Sequence, residues 1–283
     1  MKQIKCHICD SGRACFLKKE GNWDIVQCEL CGLVYVNPQP EEDFLKEHYQ
    51  SYLPESQADI DGWGSMMSGV FGQSLKMINK AVGASRGKLL DIGCAHGFFI
   101  EAALNAGWEA SGIDLSKQAV QYAEDRGLEV SNSTLFEKKY KDNCFDVITM
   151  FYVLEHLPDP GKYLKEIQRV LKPSGVLLVR VPHTTPIVKM LKMFNVSNTL
   201  YDVPSHLTDF SPQSLEHILK KTGFNAIRTS IGGMTYPRSL SERCISCFFG
   251  TVGNILHKIT FGKYLLPGIS KTTIAKKNEK KIS

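Results

Sequence analysis

The chain has 283 residues, 43% of them hydrophobic and 22% charged. That suits one full α/β domain with a small appendage and excludes a disordered or fibrous chain. The formal net charge of +5 is mild and lacks the clustered basic surface of a dedicated nucleic-acid binder.

No apolar run is long enough to span a bilayer, and residues 1–10 contain lysines and cysteines but no apolar signal core. A cytoplasmic chain is expected, in which nine cysteines point to metal binding rather than disulfides. Residues 1–36 are expected to form a zinc ribbon. Cys6-x-x-Cys9 and Cys28-x-x-Cys31 are separated by 18 residues and flank a strand-like run at 23–27. A Cys-x-x-Cys turn aims backbone amides at its sulfurs, and two such turns give tetrahedral four-thiolate coordination. Cys6, Cys9, Cys28 and Cys31 are the expected ligands. Four thiolates leave no open position, so the metal is structural, and in so small a unit it supplies the folding energy. Cys15 is spare.

Residues 37–85 read as a helical linker or cap. A Pro-rich step at 37–40 precedes a short helix at 41–50. The Gly-, Ser- and Met-rich run 62–72 reads as a flexible connector or mobile cap, and 74–82 has helical spacing, with Leu75, Ile78 and Val82 on one face. From 86 to 231 strands and helices alternate. Strands are expected at 88–92, 109–113, 128–130, 145–150, 176–181 and 226–231. Helices are expected at 98–106, from the Ser116 cap to near Gly127, at 161–171, and from the Ser211 cap with Pro212 to Gly223. This order predicts a parallel, doubly wound, Rossmann-like α/β sheet, with 183–210 inserted as a substrate segment.

Residues 232–283 are expected to hold an apolar helical segment, a last strand and a basic tail. Within 240–266, Cys244, Cys247, Phe248, Val252, Ile255 and Ile259 fall near one helical stripe, as in a helix capping the sheet or the substrate pocket. Cys244 and Cys247 are expected as buried thiols. Lys276, Lys277, Lys280 and Lys281 read as a solvated tail. A sharper alternative is peripheral contact of 240–266 and the lysine tail with an anionic membrane surface.

The first strand runs straight into Gly93-Cys94-Ala95-His96-Gly97 and a helix, where open parallel sheets bind ligands. A dinucleotide fingerprint would place glycines at 93, 95 and 98. Phe98 would obstruct a pyrophosphate, and the small residues fall instead at 93, 95 and 97. Asp114, 21 residues after Gly93, ends the second strand, where an acid accepts ribose hydroxyls. Both features suit a nucleoside without a pyrophosphate. Residues 89–97 resemble motif I of class I S-adenosylmethionine-dependent methyltransferases, and 112–116 resemble their second motif. Residues 145–148 with 154–157, and then 171–175, resemble their fourth-strand segment and the turn before their fifth strand. The likeness covers about residues 86–231. It implies that Asp91, Gly93, Cys94, Ala95 and Gly97 surround the methionine part of S-adenosylmethionine, that Asp114 and Leu115 meet the ribose, and that Phe151 lies near the cofactor. Ala95 departs from the glycine most common there. For adenine, backbone groups or Asn132 remain.

Methyl transfer to a hydroxyl needs an aligned acceptor and a proton acceptor. His156 follows the fourth strand and His206 follows the fifth, so both are candidates, and Asp91 and Asp146 are expected to hold the fold. The ribbon, the step at 34–40 and the core together resemble zinc-ribbon methyltransferases that modify sugars of surface glycans. This implies a small-molecule or glycan acceptor, with a sugar hydroxyl expected, and a role in polysaccharide biosynthesis. Two alternatives stay open: an RNA methyltransferase using the ribbon for its substrate, and an inactive cofactor-binding module. Against RNA, residues 1–40 carry just Lys2, Lys5, Arg13, Lys18 and Lys19 as cations.

Overall fold

The computed structural model describes residues 1–50, 53, 56–83, 86–230 and 270–278. The expected helix within 240–266, its Cys244–Cys247 pair, and Lys280 and Lys281 lie outside these residues.

The N-terminal unit is a small antiparallel sheet of β1 (Ala14–Glu20), β2 (Trp23–Cys28) and β3 (Val34–Val36). Two helices follow, α1 (Glu42–Gln50) and α2 (Gln57–Val82). The α/β core then alternates: β4 (Lys88–Ile92), α3 (Phe98–Asn105), β5 (Glu109–Asp114), α4 (Lys117–Asp125), β6 (Val130–Asn132) and β7 (Phe145–Phe151). A single 3₁₀ turn, Leu154–His156, leads to α5 (Pro160–Val170) and β8 (Leu171–Val181). The insertion carries α6 (Thr185–Met193) and β9 (Thr208–Asp209), and α7 (Pro212–Lys221), β10 (Phe224–Ser230) and β11 (Lys271–Lys277) complete the described chain.

The large sheet has the order β10-β11-β8-β7-β4-β5-β6. β4 to β8 run parallel, but β11 lies antiparallel between β8 and β10. The expected all-parallel sheet is therefore corrected to a mixed one. The stretch that forms β11 reads as polar because lysines bracket it. Its β-branched Thr272, Thr273 and Ile274 and small Ala275 are nevertheless buried, as a central strand requires. Lys276 and Lys277 are accordingly no solvated tail. Lys276 pairs with Val176 and Asn225 in the ladder, and Lys277 Nζ donates to Leu171 O (2.6 Å) and Asn143 Oδ1 (2.7 Å).

Alternation along the strands splits the core in two. Leu90, Ile92, Ile148, Met150, Leu177 and Val179 face α5 and α7. Leu89, Ala110, Val147, Val176 and Leu178 face α2, α3 and α4. The run 62–72 lies inside α2 and is no flexible connector. Met67, Val70 and Phe71 recur at helical spacing and continue into Leu75 and Ile78, all buried on the sheet, each contributing about 1.5–3 kcal/mol. Gly64 is needed for contact, since a Cβ there would meet the Phe98 ring at 2.8 Å. Among the described residues, no helix is long and apolar enough to cross a membrane.

Candidate active site

At the carboxyl edge of the large sheet, β4 turns through 93–97 into α3 with left-handed φ at Gly93 (+73°), Ala95 (+47°) and Gly97 (+79°). A Cβ on Gly93 would collide with Val153, and one on Gly97 with Leu128. Gly93 N and Cys94 N donate to Ile113 O at 2.8 and 3.1 Å. Asp114 ties this loop to the next strand, its Oδ2 accepting from Ala95 N and its Oδ1 from Ser116 N, both at 2.8 Å. Each carboxylate oxygen keeps a second lone pair for a ligand hydroxyl. Burial pushes the Asp114 carboxyl up, and these backbone amides work against that. Leu115 stands beside it, 36% exposed. Asp91 is buried and accepts from Thr149 Oγ1 at 2.6 Å; burial pushes its carboxyl up to about 8. Asp146 accepts from Lys88 N (2.8 Å) and Lys172 Nζ (2.7 Å). Both carboxyls are tied into the fold by these bonds.

Cys94 is buried against Gly112. Phe151 lies in an aromatic cluster, its ring 4.6 Å from Phe99 and 5.2 Å from Phe71. Asn132, expected as a candidate adenine contact, donates through Nδ2 to Asp114 O (3.1 Å) and Leu115 O (2.8 Å). It braces the turn after β5.

The two candidate bases come together although fifty residues part them: the His156 and His206 rings lie 4.8 Å apart. His156 follows Val153, the residue against Gly93, by one turn of 3₁₀ helix. Its Nδ1 donates to Ser205 O at 2.8 Å, and the Tyr49 hydroxyl donates to the same carbonyl at 2.7 Å. Burial lowers both imidazole pKa values, His156 to about 3 with the His206 ring adding to the effect. Both rings are therefore neutral near pH 7. Behind them is a buried polar nest. Glu155 and Lys271 are each pushed to about 8 by burial, and Lys271 Nζ donates to Pro182 O at 2.6 Å. Asp209 accepts from Thr184 N (3.2 Å), Thr185 N (2.8 Å) and Thr185 Oγ1.

The cysteine unit reaches this edge. Cys6 Sγ lies 3.3 Å from Cys31 Sγ and Cys9 Sγ 3.4 Å from Cys28 Sγ, and all four sulfurs lie within 4.8 Å of one another. Backbone amides of Ile8 and Cys9 approach Cys6, and those of Leu30 and Cys31 approach Cys28. Four convergent thiols with this amide support fit a tetrahedral soft cation. β9 of the insertion adds to the ribbon sheet, pairing Val34 with Asp209 and Tyr35 with Thr208. Val36 N donates to Leu207 O at 2.9 Å, and Lys18 Nζ binds Asn198 Oδ1 at 2.8 Å. A narrow crevice of about 10 Å³, room for about one water, lies between the cysteine unit and the insertion, lined by Ile25, Tyr35, Tyr201, His206 and Asp209 among others.

Residues 70–229 match the model of the methyltransferase domain family. The chain belongs to that family. It is 32% identical over 142 residues to a ubiquinone biosynthesis O-methyltransferase of Actinobacillus pleuropneumoniae serotype 5b; the match covers 46% of this chain and 61% of that protein. A protein of the same name from Nitrosomonas europaea is 26% identical over 174 residues, covering 57% of this chain and 73% of its own. The chain thus spans less than two thirds of the first of these relatives. Two solved structures share the fold. A SAM-dependent methyltransferase from Archaeoglobus fulgidus has a TM-score of 0.53 at 20% identity, covering 78% of this chain and 100% of that one. A Haemonchus contortus phosphoethanolamine N-methyltransferase in complex with S-adenosyl-L-methionine has a TM-score of 0.55 at 16% identity, covering 92% and 70%.

In this methyltransferase-family chain, sequence reasoning missed Glu155, Asp209 and Lys271. Glu155 stood in view beside His156, but nothing local marks a glutamate as fully buried. Lys271 was hidden by its place in an apparent basic run. Ser133 was also passed over: its hydroxyl is buried with no hydrogen-bond partner among the described residues, and its N donates to Asp114 O at 3.1 Å.

Proposed function

We propose that the chain transfers a methyl group from S-adenosylmethionine to a hydroxyl of a small-molecule acceptor, a sugar hydroxyl of a glycan precursor being the finer reading. S-adenosylmethionine, when bound, supplies a methyl carbon on a sulfonium. The loop residues Gly93, Ala95 and Gly97 give the backbone close approach, with Asp91 and Cys94 beneath them. Asp114 offers its remaining lone pairs to ribose hydroxyls beside Leu115, and the Ser133 hydroxyl is a group available on the adenine side. Phe151 shapes the floor through its packing on Phe71 and Phe99. The four-thiolate set is assigned zinc in a closed, structural role.

The observation that carries this reading is the neutral imidazole pair placed just beyond Val153. A neutral ring nitrogen can take the acceptor's proton as its oxygen attacks. His206 borders the narrow crevice beside the insertion and is assigned the proton, with His156 positioned by Ser205 as its neighbour or substitute. The O-methyltransferase names of the relatives support a hydroxyl acceptor, and the resemblance of ribbon plus core supports a sugar. Turnover with labelled S-adenosylmethionine on glycan-precursor and phenolic acceptor pools tests the reading. His206→Ala is expected to lose about 10²–10⁴-fold in turnover with cofactor affinity nearly unchanged. Unchanged turnover in that variant removes His206 from the role.

A further inference from the structure

We propose that Glu155, His156 and His206 form a second metal site, which takes a divalent transition cation of the zinc, cobalt or manganese kind and leaves coordination positions open. The ligand atoms of the three side chains lie within 4.8 Å of one another. Glu155 is 1% exposed, and neither carboxylate oxygen has a hydrogen-bond partner among the described residues. An unpartnered buried carboxyl is unfavourable, and a bound cation is one arrangement that satisfies it. His156 Nδ1 faces the Ser205 carbonyl at 2.8 Å. A carbonyl can only accept, so Nδ1 carries the hydrogen there, the tautomer in which Nε2 is the ligand atom. Ligating histidines are oriented by this same kind of second bond.

Donor chemistry selects the ion. Two imidazole nitrogens and one carboxylate favour a borderline transition cation over magnesium or calcium, which prefer all-oxygen shells. Three protein ligands leave room for a water or an acceptor oxygen, and both imidazoles are partly exposed. The cysteine set, in contrast, is closed. The inference rests on the reading of this pair as the acceptor-side centre and recasts the imidazoles as ligands. A cation-bound hydroxyl releases its proton to solvent, and its oxygen then takes the methyl carbon as the sulfonium C–S bond breaks, leaving S-adenosylhomocysteine.

The test uses the full chain with its ribbon loaded with zinc, titrated with Co²⁺, with bound metals counted after equilibrium dialysis. A second equivalent is expected, with weak visible bands and none of the intense near-ultraviolet absorption of thiolate-bound cobalt. Glu155→Gln and His206→Ala should each weaken the second equivalent beyond the ~10–100-fold loss typical of a second-shell partner. Ribbon zinc, far-ultraviolet circular dichroism and S-adenosylmethionine affinity should stay unchanged in at least His206→Ala, whose side chain is not fully enclosed. One metal per chain in the wild type, or a second metal retained by His206→Ala, overturns the site. Because the readout is metal content, that failure leaves hydroxyl methylation standing, and failure to methylate any acceptor leaves the metal count as measured.

Discussion

The two halves of the carboxyl edge are built in opposite ways. The cofactor half is local: Gly93, Ala95, Gly97 and Asp114 fall within 22 residues, and its bonds join one strand end to the next. The acceptor half is assembled from Tyr49 on α1, Glu155 and His156 after β7, His206 in the insertion and Lys271 on β11. It is also coupled to a separate unit, because β9 belongs to the ribbon sheet. A local site can be kept by one backbone turn, whereas a dispersed one depends on everything that holds its pieces in register.

The sharpest way to break this contrast is to disrupt the four-thiol set proposed to hold zinc. Cys28→Ser should lose about one bound zinc per chain, since the coordination set needs all four sulfurs. Without it the cysteine turns lose their coordination energy, although Ile8, Leu33 and Tyr35 still pack on the main core, and the pairing of β3 with β9 is loosened. Turnover should then fall by at least about 100-fold, a displaced acceptor group being as costly as a missing one. S-adenosylmethionine affinity should stay within about threefold, inside the spread expected for distant, independent sites. Metal analysis with calorimetry checks both. A parallel loss of cofactor affinity would mean that the two halves are not separable.

The reciprocal change is Asp114→Ala. It removes the acceptor of Ala95 N and Ser116 N together with the proposed ribose contact. Hydrogen bonds to a charged group contribute about 1.5–3 kcal/mol, so affinity should fall by roughly 10–100-fold. Calorimetry showing equal affinity in the variant would remove Asp114 from the cofactor site.

The same contrast explains what the sequence made legible. The loop, the ribose acid and the cysteine pairs are short-range patterns whose chemistry follows from spacing. In the structure Gly93, Ala95 and Gly97 share one loop with left-handed φ, Asp114 is tied to that loop, and the four sulfurs converge, while Asn132 braces the turn after β5. The helix α2 was misread at 62–72 because glycines signal a break, while Met67, Val70 and Phe71 bind the helix to the sheet with more energy than the glycines cost. A last strand was expected after residue 232, but its place at 271–277, over lysines read as a tail, was not, because its burial is decided by β8 and β10, both remote in sequence. Glu155 and Lys271 were missed for the same reason: burial of a charge is a tertiary fact.

A smaller effect comes from pH. Burial raises the carboxyls of Asp91, to about 8, and of Asp114 in the free protein. Such groups favour the fold in their neutral form. The contribution of Asp91 is full below the ordinary carboxylate range and is lost as pH rises through about 8; that of Asp114 is lost as pH rises through its own raised value. A cationic sulfonium beside them favours ionisation, so binding should release protons. S-adenosylmethionine affinity is then expected to rise between pH 6 and 8, by at most about tenfold per unit for each proton released. Asp91→Asn should flatten the rise. Calorimetry in buffers of different ionisation heat counts the protons directly; zero release at pH 7 would contradict the raised carboxyls.

The smallest expected change sharpens the cofactor half alone. Ala95 holds φ at +47°, where its Cβ crowds the following carbonyl at a cost of about 1–2 kcal/mol. Glycine carries no such strain but has more freedom to lose on folding, worth about 0.4–1 kcal/mol in the other direction. Ala95→Gly should therefore stabilise the chain by at most about 1.5 kcal/mol, up to roughly 3–6 °C in Tm for a chain of this size class. The amide of residue 95 that donates to Asp114 is retained, so cofactor affinity should be unchanged or slightly improved. Thermal unfolding of the two proteins side by side decides it. A lower Tm in the glycine variant would show that the Ala95 methyl, 94% buried with its residue, contributes more through packing than its backbone conformation costs.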